Sequence, residues 1–172
     1  MIIRAATSND LTALLDIHRL AFGEDDEADL VANLLKDQTA HPVLSLIAED
    51  EGEALGHILF TKAKLKDLNA YLLAPLAVLP ERQFKGTGRR LIKEGFRQLN
   101  AWNVDLVFVL GDPLYYQQSG FEVNAGRLGF IAPHPIPKKH ADAWMVKNLS
   151  HTDVIGAVQV ADAISAKEYW SD

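Results

Sequence analysis

The sequence predicts a single α/β domain, and three observations carry that prediction. Strand-like and helix-like apolar patterns alternate along the chain, 48% of its 172 residues are hydrophobic, and no repeat, low-complexity tract or long linker divides it. With 23% charged residues and a full set of aromatics, that apolar share is enough to bury a core. The expected unit is one domain spanning 1–172.

The elements follow in order. Ile2–Ala5 reads as a short strand. Thr7-Ser8-Asn9-Asp10 is a capping-box-like helix start, and Leu11, Leu14, Leu15, Ala21 and Phe22 follow near helical spacing. A second amphipathic helix is expected after Glu24-Asp25-Asp26-Glu27, with Leu30, Val31, Leu34 and Leu35 inward. Val43–Ala48 and Ala54–Lys62 read as strands joined by a charged turn through Asp50-Glu51-Gly52. Tyr71–Leu79 is nearly all apolar, as the buried centre of a sheet requires. Gly88–Asn103 has helical character, Val104–Leu110 is an apolar strand, and Pro113–Ser119 is a short helix stopped by Gly120. Beyond it, Phe121–Val123, Trp144–Leu149 and Ala157–Ala161 are candidate strands, with a Pro-containing loop over Ala132–Pro137.

Composition narrows function. Seventeen Lys and Arg against 23 Asp and Glu give a net charge of −6, which disfavours nucleic-acid binding, because phosphate neutralisation needs basic surface. The chain has no cysteine, so it has no thiol nucleophile, disulfide or thiolate metal site. The longest mainly apolar stretch, Ala70 to Leu79, is broken by Pro75 and falls far short of the roughly 20 residues of a membrane span. Met1-Ile2-Ile3-Arg4 lacks the apolar block of a signal peptide. The expectation is a soluble cytoplasmic protein.

The most informative stretch runs from Leu76 to Leu91. A buried strand enters a turn containing Gly86 and Gly88, and a helix starts at once. Glycines let a backbone approach a ligand closely, and a helix start offers unpaired N–H groups and positive dipole to an anion. Between Arg82 and Lys93 stand Arg82, Lys85, Arg89, Arg90 and Lys93 with no acid, in a protein that is acidic overall. A dinucleotide fingerprint would need glycine where Leu91 stands, and a P-loop would need Lys-Ser/Thr where Arg89-Arg90 stand. Both fail. The competing structural explanation, a tight turn with solvated cations, is weakened by the preceding strand and the charge cluster.

Gln83-Phe84-Lys85-Gly86-Thr87-Gly88 resembles the Q/R-x-x-G-x-G/A motif of the GNAT superfamily of N-acetyltransferases, and Pro75-Leu76-Ala77-Val78-Leu79-Pro80 before it fits the same context. Leu110-Gly111-Asp112-Pro113-Leu114-Tyr115-Tyr116-Gln117-Gln118-Ser119-Gly120-Phe121 is similar to that superfamily's Y-x-x-x-G-F ending. With Gly56-His57-Ile58-Leu59-Phe60, it resembles the YhbS-like subgroup. The resemblance is strongest over 1–123 and leaves 124–172 as C-terminal strands and loops.

The resemblance implies a central mixed sheet flanked by helices and acetyl-CoA as cosubstrate, without a metal. It implies that the backbone of Gln83, Phe84, Lys85, Gly86, Thr87, Gly88 and Arg89 binds the pyrophosphate, and that Leu76, Ala77 and Val78 pair with the pantetheine arm. It places an N–H near Val78 on the thioester carbonyl, where amine attack builds negative charge. Tyr116 is the candidate general acid: attack expels a thiolate, and a phenol with a reference pKa near 10 is a neutral proton donor at pH 7. A parallel crossover through the helix and strand after Gly88 returns Tyr116 to the sheet edge that holds the glycine turn. Tyr115 is expected to be mainly structural.

Other residues are less directive. Glu24, Asp25, Asp26, Glu27 and Asp29 either attract a cationic acceptor or complement a helix dipole; no general base is identified. His57 reads as a packed strand residue, His18 falls on the first helix, and His134 and His140 flank a Pro/Lys loop without a recognisable ligand set. Phe84 departs from the small residue common at its position and could crowd the turn. Gly111-Asp112 stand where an amide side chain is common.

The function expected is direct acetyl transfer from acetyl-CoA to a primary amine of a small molecule or peptide, by a monomer or homodimer with no nucleic-acid or membrane partner. The rivals are a non-catalytic acyl-CoA-binding regulatory module on the same scaffold and an interaction protein that meets an acidic partner.

Overall fold

The computed structural model describes residues 1–171. Strands β1 (Ile2–Ala5), β2 (Leu44–Asp50), β3 (Glu53–Leu65), β4 (Leu68–Val78), β5 (Leu106–Leu110) and β7 (Trp144–Asn148) form one sheet in the order β1-β2-β3-β4-β5-β7. The β4–β5 pairing is parallel and the others are antiparallel, so the sheet is mixed. Helices α1 (Leu11–Phe22) and α2 (Asp26–Lys36) pack on one face, and α3 (Thr87–Ala101) on the other.

Burial explains this layering. Leu14 of α1 and Leu30, Val31 and Leu34 of α2 meet Ile47, Leu59 and Leu72 of the sheet. On the opposite face Leu91, Ile92 and Leu99 of α3 meet Leu46, Ile58 and Phe60. Each fully buried side chain of this size contributes about 1.5–3 kcal/mol relative to an exposed one. No helix is long and apolar enough to cross a membrane among the described residues.

The hairpin between β3 and β4 is longer than expected, turning at Lys66-Asp67 instead of breaking after Lys62. Its period-two pattern is present in the sequence, with Ala63, Leu65 and Ala70 buried. The intervening lysines hide it, because Lys64 faces solvent. Ala74-Pro75 sits at a register slip, Ile58 pairing with Leu76 while Phe60 pairs with Leu73. Two residues of β4 therefore oppose one of β3, and proline has no N–H to give the ladder there.

After α4 (Pro113–Tyr116) the chain differs from expectation. Phe121–Val123 is not a strand; only Glu122 bridges to Val146. A two-residue strand, β6 (Phe130–Ile131), pairs in parallel with β8 (Gly156–Ala157), and Gln159 bridges to Lys64. Pairings this short leave no periodicity to read. The segment still supplies core: Trp144 stacks on Phe108 at 5.1 Å, and Trp170 meets Trp144 edge-on at 5.5 Å.

Candidate active site

The site begins where β4 and β5 part. Their pairing ends at Leu72 opposite Phe108, so the rest of β4 has a free edge on that side. Gly56 stands opposite Val78 and His57 opposite Ala77 across β3, and the Leu79 N–H donates to the Leu55 carbonyl at 2.8 Å. Hydrogen-bonded and non-bonded pairs alternate along an antiparallel ladder. Ala77 therefore spends its backbone groups on His57, while those of Leu76 and Val78 point into the gap. The Gln83 side-chain amide donates to the Val78 carbonyl at 2.9 Å. The Val78 N–H and both backbone groups of Leu76 remain directed at the opening.

The chain next makes the glycine turn. Gly86 takes the left-handed conformation, φ 84°, at the N-cap of α3, and no side chain caps the helix. The Arg90 N–H makes the first intrahelical bond, to the Gly86 carbonyl at 3.0 Å. Thr87, Gly88 and Arg89 thus present the unpaired N–H groups of a helix start, where the dipole is positive. Phe84 also has positive φ, 63°, and its side chain is fully exposed at 103%. It turns outward and does not crowd the turn.

Two tyrosines close the far side. A Cβ on Gly88 would lie 2.0 Å from the Tyr115 hydroxyl, and one on Gly111 would lie 2.6 Å from the Tyr116 ring. Asp112 caps α4 by accepting the Leu114 N–H at 3.0 Å. The Tyr116 ring also meets Phe121 edge-on at 5.7 Å. Burial, reinforced by Tyr115 and Asp112, drives the Tyr116 phenol well above its ordinary pKa. Burial also raises that of Tyr115, with Arg89 opposing. Both are neutral phenols at pH 7.

These parts wall one cavity of about 950 Å³. Of the residues singled out in the sequence, Leu76, Val78, Gln83, Phe84, Gly86, Thr87, Gly88, Arg89 and Tyr116 line it. Ala77 does not: its side chain is buried with Ile17 and Leu79. Lys85 lies outside the lining as well. The Tyr115 hydroxyl stands at the start of α3, packed against Gly88. The doubled Tyr115-Tyr116 was the available signal, but only the fold shows which faces the turn. Phe22 and Glu27 of the α1–α2 region complete the wall, and Glu27 is the one member of its acidic run that does so.

The histidines lie outside the cleft lining. His18 Nε2 and His57 Nδ1 are 2.8 Å apart, and His57 Nε2 is 2.8 Å from Ser45 Oγ. Both rings are completely buried, and desolvation lowers their pKa values to about 4 and about 3. His18 Nδ1 has no partner. A bare lone pair there costs less than an orphaned N–H, so we assign the donated protons along His18 to His57 to Ser45. Among the described residues no group of three or more His, Asp or Glu side chains is placed to hold a metal.

A mixed sheet with a splayed parallel pair, a glycine turn opening a helix, and a tyrosine across the gap together define an acyltransferase of the GNAT type. Residues 11–121 match the model of the Acetyltransferase (GNAT) family, and the chain belongs to that family. It is an N-acetyltransferase. It is 47% identical over 146 residues to the uncharacterized N-acetyltransferase YjhQ of Escherichia coli (strain K12), covering 83% of this chain and 81% of that one. To the uncharacterized N-acetyltransferase YhbS of the same strain it is 35% identical over 128 residues, covering 73% and 75%. The crystal structure of Escherichia coli YhbS in complex with CoA superimposes with a TM-score of 0.84 at 28% identity, covering 96% of this chain and 92% of that one. A GNAT family acetyltransferase from Brucella melitensis in complex with acetyl-CoA gives 0.74 at 27% identity, with coverage of 95% and 97%. The likeness to the YhbS-like subgroup is borne out.

Proposed function

We propose that this protein transfers the acetyl group of acetyl-CoA directly to a primary amine. The observation that carries the reading is the convergence of a free β4 edge, an uncapped α3 start and the Tyr116 phenol on one cavity. The residues fit the coenzyme: a diphosphate needs N–H donors without internal partners, and an extended amide arm needs a strand edge.

Acetyl-CoA, when bound, supplies an acyl carbon activated as a thioester. The N–H groups of Thr87, Gly88 and Arg89 hold the diphosphate, supported by the Arg89 charge, and the backbone of Leu76 and Val78 holds the arm. The Val78 N–H stabilises the oxyanion that develops on attack. Tyr116 protonates the departing sulfur. Its raised pKa keeps the phenol protonated at physiological pH. With no cysteine in the chain, positioning and carbonyl polarisation supply the rate.

The test has two arms. Acetyl-CoA should raise the melting temperature in a concentration-dependent way, and a panel of primary amines should release free CoA thiol. No thermal shift would remove the reading; a shift without turnover on any amine would make the chain a coenzyme-binding module.

A further inference from the structure

The acetyl-transfer reading leaves one demand unmet, because an amine arrives as an ammonium and must lose a proton before it attacks. We propose that Glu27 receives that proton, and that with Phe22 it forms a subsite for a primary ammonium carried on a short apolar stem. This inference rests on the acetyltransferase reading and assigns the second substrate's place within it.

Glu27 lies in the first turn of α2 and lines the same cavity as Leu76, Val78 and Tyr116. Its Oε2 is buried and has no hydrogen-bond partner. A carboxylate oxygen withdrawn from water without a donor is costly, and such a group in a native fold calls for a partner supplied from elsewhere. The terminal torsion of a glutamate is soft, so a turn of the carboxyl group presents an oxygen to the cleft. Helix-dipole complementarity explains Glu24, Asp25, Asp26 and Asp29 well enough, since none of them lines the cavity. Asp25 is moreover paired with Arg19 at 3.3 Å.

The electrostatic setting agrees. Burial raises the Glu27 pKa against the opposing pull of its own backbone N–H, and Glu24 and Asp26 add to the rise. The other charged or titratable groups on the cavity wall are Arg82, Arg89, Asp112, Tyr115 and Tyr116, and across the α1 interface His18 is neutral. A carboxylate whose pKa is raised by burial is a stronger base than an ordinary surface glutamate. Phe22 lines the same cavity, 43% exposed and stacked at 6.2 Å on the buried His18 ring. An aromatic face and a carboxylate lining one cavity suit an ammonium with an apolar body.

The step balances. One ammonium proton moves to Glu27, the freed amine forms the C–N bond, and the C–S bond breaks. The thiolate takes the Tyr116 proton, Tyr116 regains one from the new amide nitrogen, and Glu27 returns its proton to solvent. The net products are amide, CoA thiol and one released proton.

The experiment uses phenethylamine as probe on the whole chain. Calorimetry in the presence of CoA should show saturable binding to the wild type, weakened at least tenfold in Glu27→Gln, with acetyl-CoA affinity unchanged within twofold. Glu27→Asp should retain part of the turnover, and Glu27→Gln should lose the acidic limb of the kcat/KM–pH profile. Carbon-13 NMR of labelled glutamate should place one carboxyl titration above the ordinary glutamate range, absent from Glu27→Gln and displaced downward by the amine. Absence of phenethylamine binding to the wild type, equal binding by Glu27→Gln, or an unchanged pH profile would overturn the proposal. If acetyl-CoA itself fails to bind the wild type, the failure lies with the acetyltransferase reading.

Discussion

The Tyr115 hydroxyl occupies the space a side chain on residue 88 would need, 2.0 Å from where its Cβ would lie. The second glycine of the turn is therefore required by a tyrosine 27 positions later, on the far side of the cleft, as well as by any ligand. Gly88→Ala should destabilise the fold by about 1–3 kcal/mol, the usual cost of overpacking. With Tyr115→Phe the nearest atom is the ring carbon at 3.3 Å. In that background the same alanine should be close to neutral, helped by a helix preference of up to about 1 kcal/mol over glycine. Urea unfolding of the four proteins in this cycle checks it; an equal cost of the alanine in both backgrounds would contradict the geometry.

Tyr116→Phe tests the proposed acid. The ring packs on Gly111 and Phe121, and phenylalanine keeps both contacts. Unfolding should change little, kcat should fall about 100-fold, and the KM for acetyl-CoA should stay within about twofold. Steady-state thiol release measures this, and undiminished turnover would move the acid elsewhere.

The buried His18–His57 pair makes a prediction about acid. Both pKa values are depressed by folding, to about 4 and about 3, below an unfolded value near 6.5. Between those limits the unfolded chain binds the protons, so stability is full above about pH 6.5 and falls as pH is lowered toward 4. The slope is about 1.4 kcal/mol per pH unit for each group. Replacing both with His18→Leu and His57→Phe should flatten this limb in unfolding measured from pH 4 to pH 7. A single replacement should leave about half of the slope, because the other ring still titrates.

The contrast between what could and could not be read from the chain has a physical basis. The glycine turn, the strand before it and Tyr116 are local features: Gly86 and Gly88 announce backbone geometry, and the apolar run to Leu79 announces burial. Glu27 and Phe22 could not be placed, because nothing within α1 or α2 says which residue overlooks a cavity built by β4 and α4. Nor could the His18–His57 contact, which joins residues 39 positions apart. Ala77 shows the opposite error: a three-residue edge was expected, but the two-residue period of a strand gives only Leu76 and Val78 to the cleft.

Gly95 extends the argument from packing to the site. A Cβ there would lie 2.4 and 2.5 Å from two ring carbons of Phe60, so α3 rests on that ring through a glycine. Phe60 is fully buried in β3 and cannot swing into solvent. Gly95→Ala must lift α3 from the sheet or displace Phe60, at a cost of about 1–3 kcal/mol. Gly95 lies two helical turns, about 10 Å, from Gly88, so the displacement also reaches the uncapped end of α3. We expect acetyl-CoA to bind Gly95→Ala several-fold more weakly although residue 95 lies outside the cavity lining. Adding Phe60→Leu removes the ring and should restore coenzyme affinity before it restores full stability, since it leaves a smaller core side chain. Calorimetric affinity and urea midpoint, measured on the wild type and both variants, separate the two effects; parallel recovery or parallel loss would show that the helix position and the cradle are not linked through this contact.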